Sequence, residues 1–277
     1  MADDVRTDRH GTEGGSGPIQ DRAAAAGSNP TVSQVALEVF RFCPDDEPEP
    51  RFQRYEIACR EDWVVLDALD YIKSDVDATL SFRWSCRMGV CGSCGMMVNG
   101  EPRLTCETFV RDFGSGPIRI EPLSHFPVIR DLVIDMDDFM AKLPAVKTWL
   151  IPEEPRSIDE GEYVQTPAEM EQYKRFSMCI NCMLCYSACP VYGLDSTFTG
   201  PAALALAQRY NLDSRDGGRR ERAEVVASHE GIWECTYVGD CTRVCPKAVD
   251  PAGAIQMAKL SYAADWAKSV LLPWGKR

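Results

Sequence analysis

The stretch CTYVGDCTRVCP, residues 235–246, spaces Cys235, Cys241, Cys245 and Pro246 as a CxxCxxCxxxCP run does, but carries Val238 where the second cysteine falls. Upstream, CINCMLCYSACP (residues 179–190) fills every position of that run, with Cys179, Cys182, Cys185, Cys189 and Pro190. Cysteines at this spacing hold iron–sulfur cores, and where two runs share a chain the fourth cysteine of each ligates the other run's core. By that rule Cys179, Cys182 and Cys185 take Cys245 to hold a [4Fe–4S] core, while Cys189 joins Cys235 and Cys241. The second set has only three thiolates.

Three thiolates match a [3Fe–4S] core, a cubane short of one iron. Valine cannot ligate iron, and the apolar branch of Val238 tends to keep water from the vacant corner. Two other readings stay open: Asp240 as an oxygen ligand, or an open iron acting on a substrate as a Lewis acid, as in a hydratase. An open catalytic iron wants polar neighbours, and here they are Val238 and Gly239.

A third constellation precedes these. CRMGVCGSC followed by Cys106 sets Cys86, Cys91, Cys94 and Cys106 in the plant-type CxxxxCxxC…C order of a [2Fe–2S] site. Gly89, Gly92 and Gly95 let the backbone bend around such a core so that amide N–H groups approach the sulfurs. The competing reading is a structural zinc site, which also uses four thiolates, but zinc knuckles favour paired CxxC arms.

With 277 residues the chain can bury two cores. A net charge of -12 with no basic stripe disfavours nucleic acid as a partner. The apolar runs are too short to cross a bilayer, and the N-terminus has no secretory apolar segment, which points to a reducing cytoplasm. There, thirteen cysteines in clustered spacing signify metal, not disulfides. No Cys/His nucleophile, GxGxxG or Walker loop is present, His10, His125 and His229 sit apart from the cysteine runs, and Cys43 and Cys59 read as small buried hydrophobes in strands.

The pattern along the chain predicts an α+β first half and a helical second half. Residues 1–32 are polar and glycine-rich and read as a disordered tail. Val35, Leu37, Val39 and Phe42 predict a strand, DDEPEP a turn, and FQRYEIAC its hairpin partner; VVLDALDYIKSD predicts a short helix. Asn99-Gly100 predicts a tight hairpin, IRIEP at 118–122 a strand, and the first domain closes near residue 140. A charged linker spans 141–166. The second domain, 167–277, holds helices at PAALALAQRYN and DPAGAIQMAKLSYAADWAKSVL, the latter capped by Asp250 with Pro251 in its first turn.

The motifs SCRMGVCGSCGM, CINCMLCYSACP, GPAALALAQRYNLDSRD and CTYVGDCTRVCPKAVDPAGAIQ resemble those of the iron–sulfur subunit of succinate dehydrogenase and fumarate reductase, the complex II family, over about residues 33–270. The resemblance implies a β-grasp [2Fe–2S] ferredoxin domain at 33–140 and an all-helical ferredoxin domain holding the other two clusters. It implies a FAD-bearing flavoprotein partner that oxidises succinate, and one or more membrane anchor subunits, with or without haem. The chain itself would not be catalytic alone: it passes electrons through [2Fe–2S], [4Fe–4S] and [3Fe–4S] clusters to quinone at the cytoplasmic face of the membrane.

For the quinone side the resemblance implies Pro190, Thr236, Gln256 and Lys259, the last two being three apart on one helix face. Many ubiquinone-linked members carry tryptophan after the first CP and histidine after the first cysteine of the second run. Gly193, Leu194 and Thr236 here are similar to the fumarate-reductase-like, menaquinone-linked branch. The direction of the reaction stays open, as do two alternatives: the iron–sulfur subunit of another flavin- or quinone-linked dehydrogenase, and a zinc-binding interaction module.

Overall fold

The computed structural model describes residues 32–271. The tail expected at 1–32 lies outside the described residues except for Val32, which opens a strand. Strands β1 (Val32–Cys43) and β2 (Glu47–Arg60) form a long antiparallel hairpin, so the second strand begins inside the DDEPEP stretch read as a turn. Strands β3 (Gly95–Val98), β4 (Glu101–Leu104) and β5 (Ile118–Glu121) complete a five-stranded sheet of order β2-β1-β5-β3-β4, in which β5 runs parallel to β1. Asn99 and Gly100, at φ 48° and 82°, make the tight β3–β4 turn that their residue types favour.

One face of the sheet is covered by α1 (Val65–Tyr71), whose Val65, Ala68 and Leu69 pack on Leu37, Val39, Ile57, Ile118 and Ile120. On β1 the alternation continues through Arg41, not to Phe42 as the apolar pattern suggested. Arg41 tolerates the buried position because its Nε donates to Asp131 (3.0 Å) and its Nη atoms donate to Asp77 (2.6 Å), Tyr55 (2.7 Å) and Thr79 (2.8 Å). Cys59 is buried in β2 as expected, but Cys43 is only half-buried, because it closes β1 at the turn with its thiol toward Asp46.

A two-stranded ribbon, β6 (Val128–Arg130) and β7 (Val133–Ile134), leads into α2 (Asp137–Ala145). Residues 141–151 are half-buried or exposed apart from buried Val146, but hydrogen bonds tie them to the second half. Arg222 donates to the carbonyls of Lys147 (3.0 Å) and Trp149 (2.7 Å), and Ile151 N donates to Asp216 (2.9 Å). Most of EEPRSIDEGE is exposed.

Helices follow: α3 (Pro167–Tyr173), α4 (Leu184–Ser187), α5 (Pro190–Leu194), α6 (Pro201–Asn211), α7 (Arg219–Val226), α8 (Asp240–Arg243) and α9 (Pro251–Leu271). Buried Ala202, Ala203 and Ala207 of α6 and Ala252, Ile255 and Ala258 of α9 belong to one apolar cluster, in which the alanines let the two helices approach closely. Asp250 caps α9 as predicted, its Oδ1 accepting from Gly253 N at 2.9 Å. That cluster also contains Met97, Leu104 and Leu123 of the first half. The two halves therefore share this cluster, while the one between α1 and the sheet belongs to the first half alone. Among the described residues no helix is long and apolar enough to cross a membrane.

Candidate metal centres

In the loop between α1 and β3, Arg87, Gly89 and Gly92 take left-handed φ of 57°, 66° and 75°. This folds the chain back so that N–H groups meet sulfur: those of Val90 and Cys91 donate to Cys86 Sγ (both 3.3 Å), that of Cys86 to Cys91 Sγ (3.4 Å), and that of Gly89 to Cys106 Sγ (3.3 Å). Such bonds favour charge on sulfur. Hydrogen bonds from the Ser93 side chain and the Cys86 backbone pull the Cys91 thiol down to about 6, whereas burial pushes Cys106 up to about 12. Gly95, expected to bend the loop, lies instead in β3, where a methyl would sit 3.1 Å from Leu184. On the outer rim Trp84, Met88 and Val90 are exposed beside the charged Arg87, which pairs with Asp70 at 3.0 Å.

At Gly92 the loop reaches the second half of the chain. A Cβ there would stand 2.8 Å from Cys182 Cβ and 2.9 Å from Cys182 Cα, so the first cysteine loop rests directly on the first CP run. Glu101 and Arg243 (3.1 Å) form an ion pair across the same junction.

Cys179, Cys182, Cys185 and Cys245 line one small cavity with Ile180, Met183 and Val249. Asn181 and Met183 turn the chain at φ 54° and 62°, and Val249 N donates to Cys245 Sγ (3.4 Å). A second small cavity is lined by Cys189, Cys235 and Cys241 with Pro190, Thr236, Tyr237, Val238 and Ile255. The structure thus brings Cys245 together with Cys179, Cys182 and Cys185, and Cys189 together with Cys235 and Cys241. Burial pushes the thiols of Cys182 and Cys241 up to about 12 and that of Cys185 well above its ordinary value. Loading a core onto such thiols displaces their protons.

Donor sets made only of thiols, with amides aimed at sulfur, fit iron–sulfur cores. Among the described residues no three His, Cys, Asp or Glu side chains stand close enough to hold a single metal ion. Asp240 borders the second cavity, but its carboxylate accepts from Arg243 Nε at 3.2 Å.

Pro190 and Thr236 border the three-cysteine cavity and are exposed. Lys259 does not point a free ammonium outward; its Nζ donates to the carbonyl of Cys235 at 2.7 Å. Gln256 leaves its buried Nε2 without a hydrogen-bond partner. Missed by the sequence reading were exposed Trp233 and Tyr237 in the same region, and His125, read as apart from the cysteine runs, has its Nδ1 3.1 Å from the Tyr186 carbonyl, one residue from Cys185. No local motif marks His125; only its left-handed φ of 71° inside a loop sets it apart.

A family model described as a 2Fe-2S iron-sulfur cluster binding domain matches residues 36–141, and one described as a 4Fe-4S dicluster domain matches residues 175–249. The chain is 58% identical over 244 residues to the fumarate reductase iron-sulfur subunit of Mycobacterium tuberculosis, spanning 88% of this chain and 99% of that one. It is 48% identical over 249 residues to the fumarate reductase iron-sulfur subunit of Haemophilus influenzae, spanning 86% and 97%. Identity is 37% over 245 residues to the mitochondrial succinate dehydrogenase (ubiquinone) iron-sulfur subunit 2 of Oryza sativa, spanning 86% and 78%. Among solved structures, a chain of the Mycobacterium smegmatis Sdh1 complex in the apo form matches with a TM-score of 0.76 at 26% identity, covering 85% of this chain and 97% of that one. A 2Fe–2S ferredoxin half, a helical half with two cysteine cavities, and relatives matched along nearly their whole length together establish that the chain belongs to the iron–sulfur subunits of fumarate reductase and succinate dehydrogenase.

Proposed function

We propose that this chain holds three clusters, with Cys86, Cys91, Cys94 and Cys106 as ligands of a [2Fe–2S] cluster, Cys179, Cys182, Cys185 and Cys245 of a [4Fe–4S] cluster, and Cys189, Cys235 and Cys241 of a [3Fe–4S] cluster. The observation that carries this reading is the exchange of fourth cysteines: Cys245 shares a cavity with the first run and Cys189 with the second. When bound, these clusters carry electrons one at a time between a flavin and a quinone.

The residues of the chain arrange that passage. The N–H groups around Cys86 and Cys106 offset negative charge on the first cluster's sulfurs, and exposed Trp84, Met88 and Val90 offer apolar side chains to a flavoprotein subunit bearing FAD. Gly92 holds the first cysteine loop against Cys182, which keeps the transfer distance short. Val238 offers no fourth ligand, and Asp240 is engaged by Arg243. At the far end Gln256 has an unused N–H donor, and Lys259 fixes the Cys235 carbonyl while retaining further N–H groups for a quinone carbonyl. Pro190 and Thr236 border the same region.

The acceptor in this reading is menaquinone, supported by Gly193, Leu194 and Thr236 and by the fumarate reductase relatives. The chain sits peripherally on the cytoplasmic face of the membrane, held by an anchor subunit. The test is to reconstitute it with its flavoprotein and anchor subunits and assay succinate oxidation twice, once with a soluble dye and once with menaquinone. Both activities are expected, with menaquinone reduction lost when this chain is left out; menaquinone reduction undiminished without this chain contradicts the proposal.

A further inference from the structure

The tip of the first cysteine loop is roofed by a carboxylate. Gly89 is buried at φ +66°, and a Cβ built there would overlap Oε1 and Cδ of Glu107 and stand 2.8 Å from its Oε2. The space that a side chain would fill at Gly89 is therefore held by the carboxyl group of Glu107. Glu107 itself is exposed and directly follows Cys106, whose Sγ accepts from Gly89 N at 3.3 Å. The carboxylate thus lies over the peptide that donates to a proposed cluster ligand.

Its charge is left uncompensated. The amides of the loop tip are spent on sulfur: those of Met88 and Val90 donate to Cys86 Sγ at 3.5 and 3.3 Å, and that of Gly89 to Cys106 Sγ. Glu107 lines a cavity with Arg103 and Arg243, but Glu101 pairs with both, at 2.6 and 3.1 Å. Arg243 is also paired with Asp240 at 3.2 Å. Two arginines balance Glu101 and Asp240, and Glu107 is the charge left over. Arg87, the cation of the loop itself, is taken by Asp70 at 3.0 Å and Asp67 at 3.7 Å. Among the described residues no ion pair or hydrogen bond reaches the Glu107 carboxylate. An electron added to a cluster adds negative charge, and a carboxylate fixed beside the site opposes that addition by Coulomb repulsion.

We propose that Glu107, seated over Gly89, lowers the potential of the first cluster, so that an electron is held less firmly there and passes on more readily toward the Cys182 side. Glu107 ligates nothing and acts through its charge. The inference rests on the assignment of a [2Fe–2S] cluster to Cys86, Cys91, Cys94 and Cys106, and it adds a residue outside that ligand set.

The test is an EPR-monitored redox titration of the full chain with its clusters, at one pH, comparing the wild type with E107Q and E107K. E107Q keeps the shape over Gly89 and removes the charge. Because the side chain is exposed, water screens it, and the equilibrium of the two-iron centre should move toward the reduced form by about three- to tenfold, or about 28–59 mV for one electron. E107K should move it further in the same direction, and salt at about 1 M should shrink the difference between wild type and E107Q. The midpoint of the three-iron centre serves as the internal reference and should stay in place. The proposal is overturned if E107Q leaves the two-iron midpoint unchanged or lowers it, or if all midpoints move together, as a loosened fold would make them. A wild-type chain that shows no two-iron signal on reduction contradicts the cluster assignment itself, and the inference falls with it.

Discussion

Gly92→Ala tests whether the two halves work as one conductor. Two costs add at this position. The residue has φ +75°, where an L side chain is strained by about 1–2 kcal/mol, and its new methyl would stand 2.8 Å from Cys182 Cβ and 2.9 Å from Cys182 Cα. Part of that contact is with backbone, so the strain cannot be relieved by a rotamer change, and overpacking of this kind costs about 1–3 kcal/mol. Together they predict about 2–5 kcal/mol. Gly100→Ala is the internal control, because it has φ +82° but nothing within 4 Å of its Cβ, and so bears only the first cost. At about 2–4 °C per kcal/mol for a domain of this size, Gly100→Ala should lower the thermal midpoint by roughly 2–8 °C. Gly92→Ala should lower it by roughly 4–20 °C at the same scan rate. The second variant should also slow electron delivery from the first cluster to the second in a rapid-mixing experiment, while Gly100→Ala leaves that rate unchanged. Equal midpoints and equal transfer rates for the two variants would refute the argument that the loop at Gly92 rests on Cys182.

Val238→Cys supplies the missing thiol at the rim of the second cavity, and should raise the iron content by about one per chain with loss of the three-iron signal in EPR. Lys259→Ala should lower menaquinone reduction severalfold while dye-linked succinate oxidation is kept; unchanged activity in both assays removes Lys259 from the quinone side. The side chains of Arg222 and Asp216 are both fully buried, paired at 2.6 Å, so Arg222→Met, which strands the carboxylate and the Lys147 and Trp149 carbonyls, should cost about 3–5 kcal/mol in urea unfolding. Asp77 accepts hydrogen bonds from Thr79, Tyr55 and Arg41, which hold its carboxyl well below the usual carboxylate range. Because its folded value is depressed, the stability it contributes is full above the unfolded value of 3.8 and is lost as pH falls through the folded one. Asp77→Asn should therefore flatten the loss of stability on acidification below about pH 4, read from urea midpoints across pH.

Cysteine spacing made the grouping of the cavities legible, because a core of fixed size restricts how far apart its ligands lie, and the same holds for the Asn99-Gly100 turn and the Asp250 cap, which depend on neighbours in the chain. Arg41 was not legible in this way. A strand pattern scores it as polar and therefore exposed, and the partners that make its burial tolerable, Asp77 and Asp131, come from distant loops. Lys259 was read as a quinone-side residue from its helix position, and its bond to the Cys235 carbonyl involves a backbone acceptor that no side-chain motif records. Residues 141–151 looked like linker because their anchoring groups are carbonyls held by Arg222, far along the chain. The meeting of Gly92 with Cys182 is a tertiary contact between two loops, and neither loop's spacing encodes it.

The central claim is that three clusters of unlike kind line one chain, the last lacking an iron because Val238 stands in place of a cysteine. Iron and sulfide analysis of the purified protein, with EPR of the oxidised and dithionite-reduced states, tests it most directly. The account predicts about nine irons and about ten sulfides per chain, with the signal of an oxidised three-iron centre. About ten irons with no such signal, or zinc in place of iron, would contradict it.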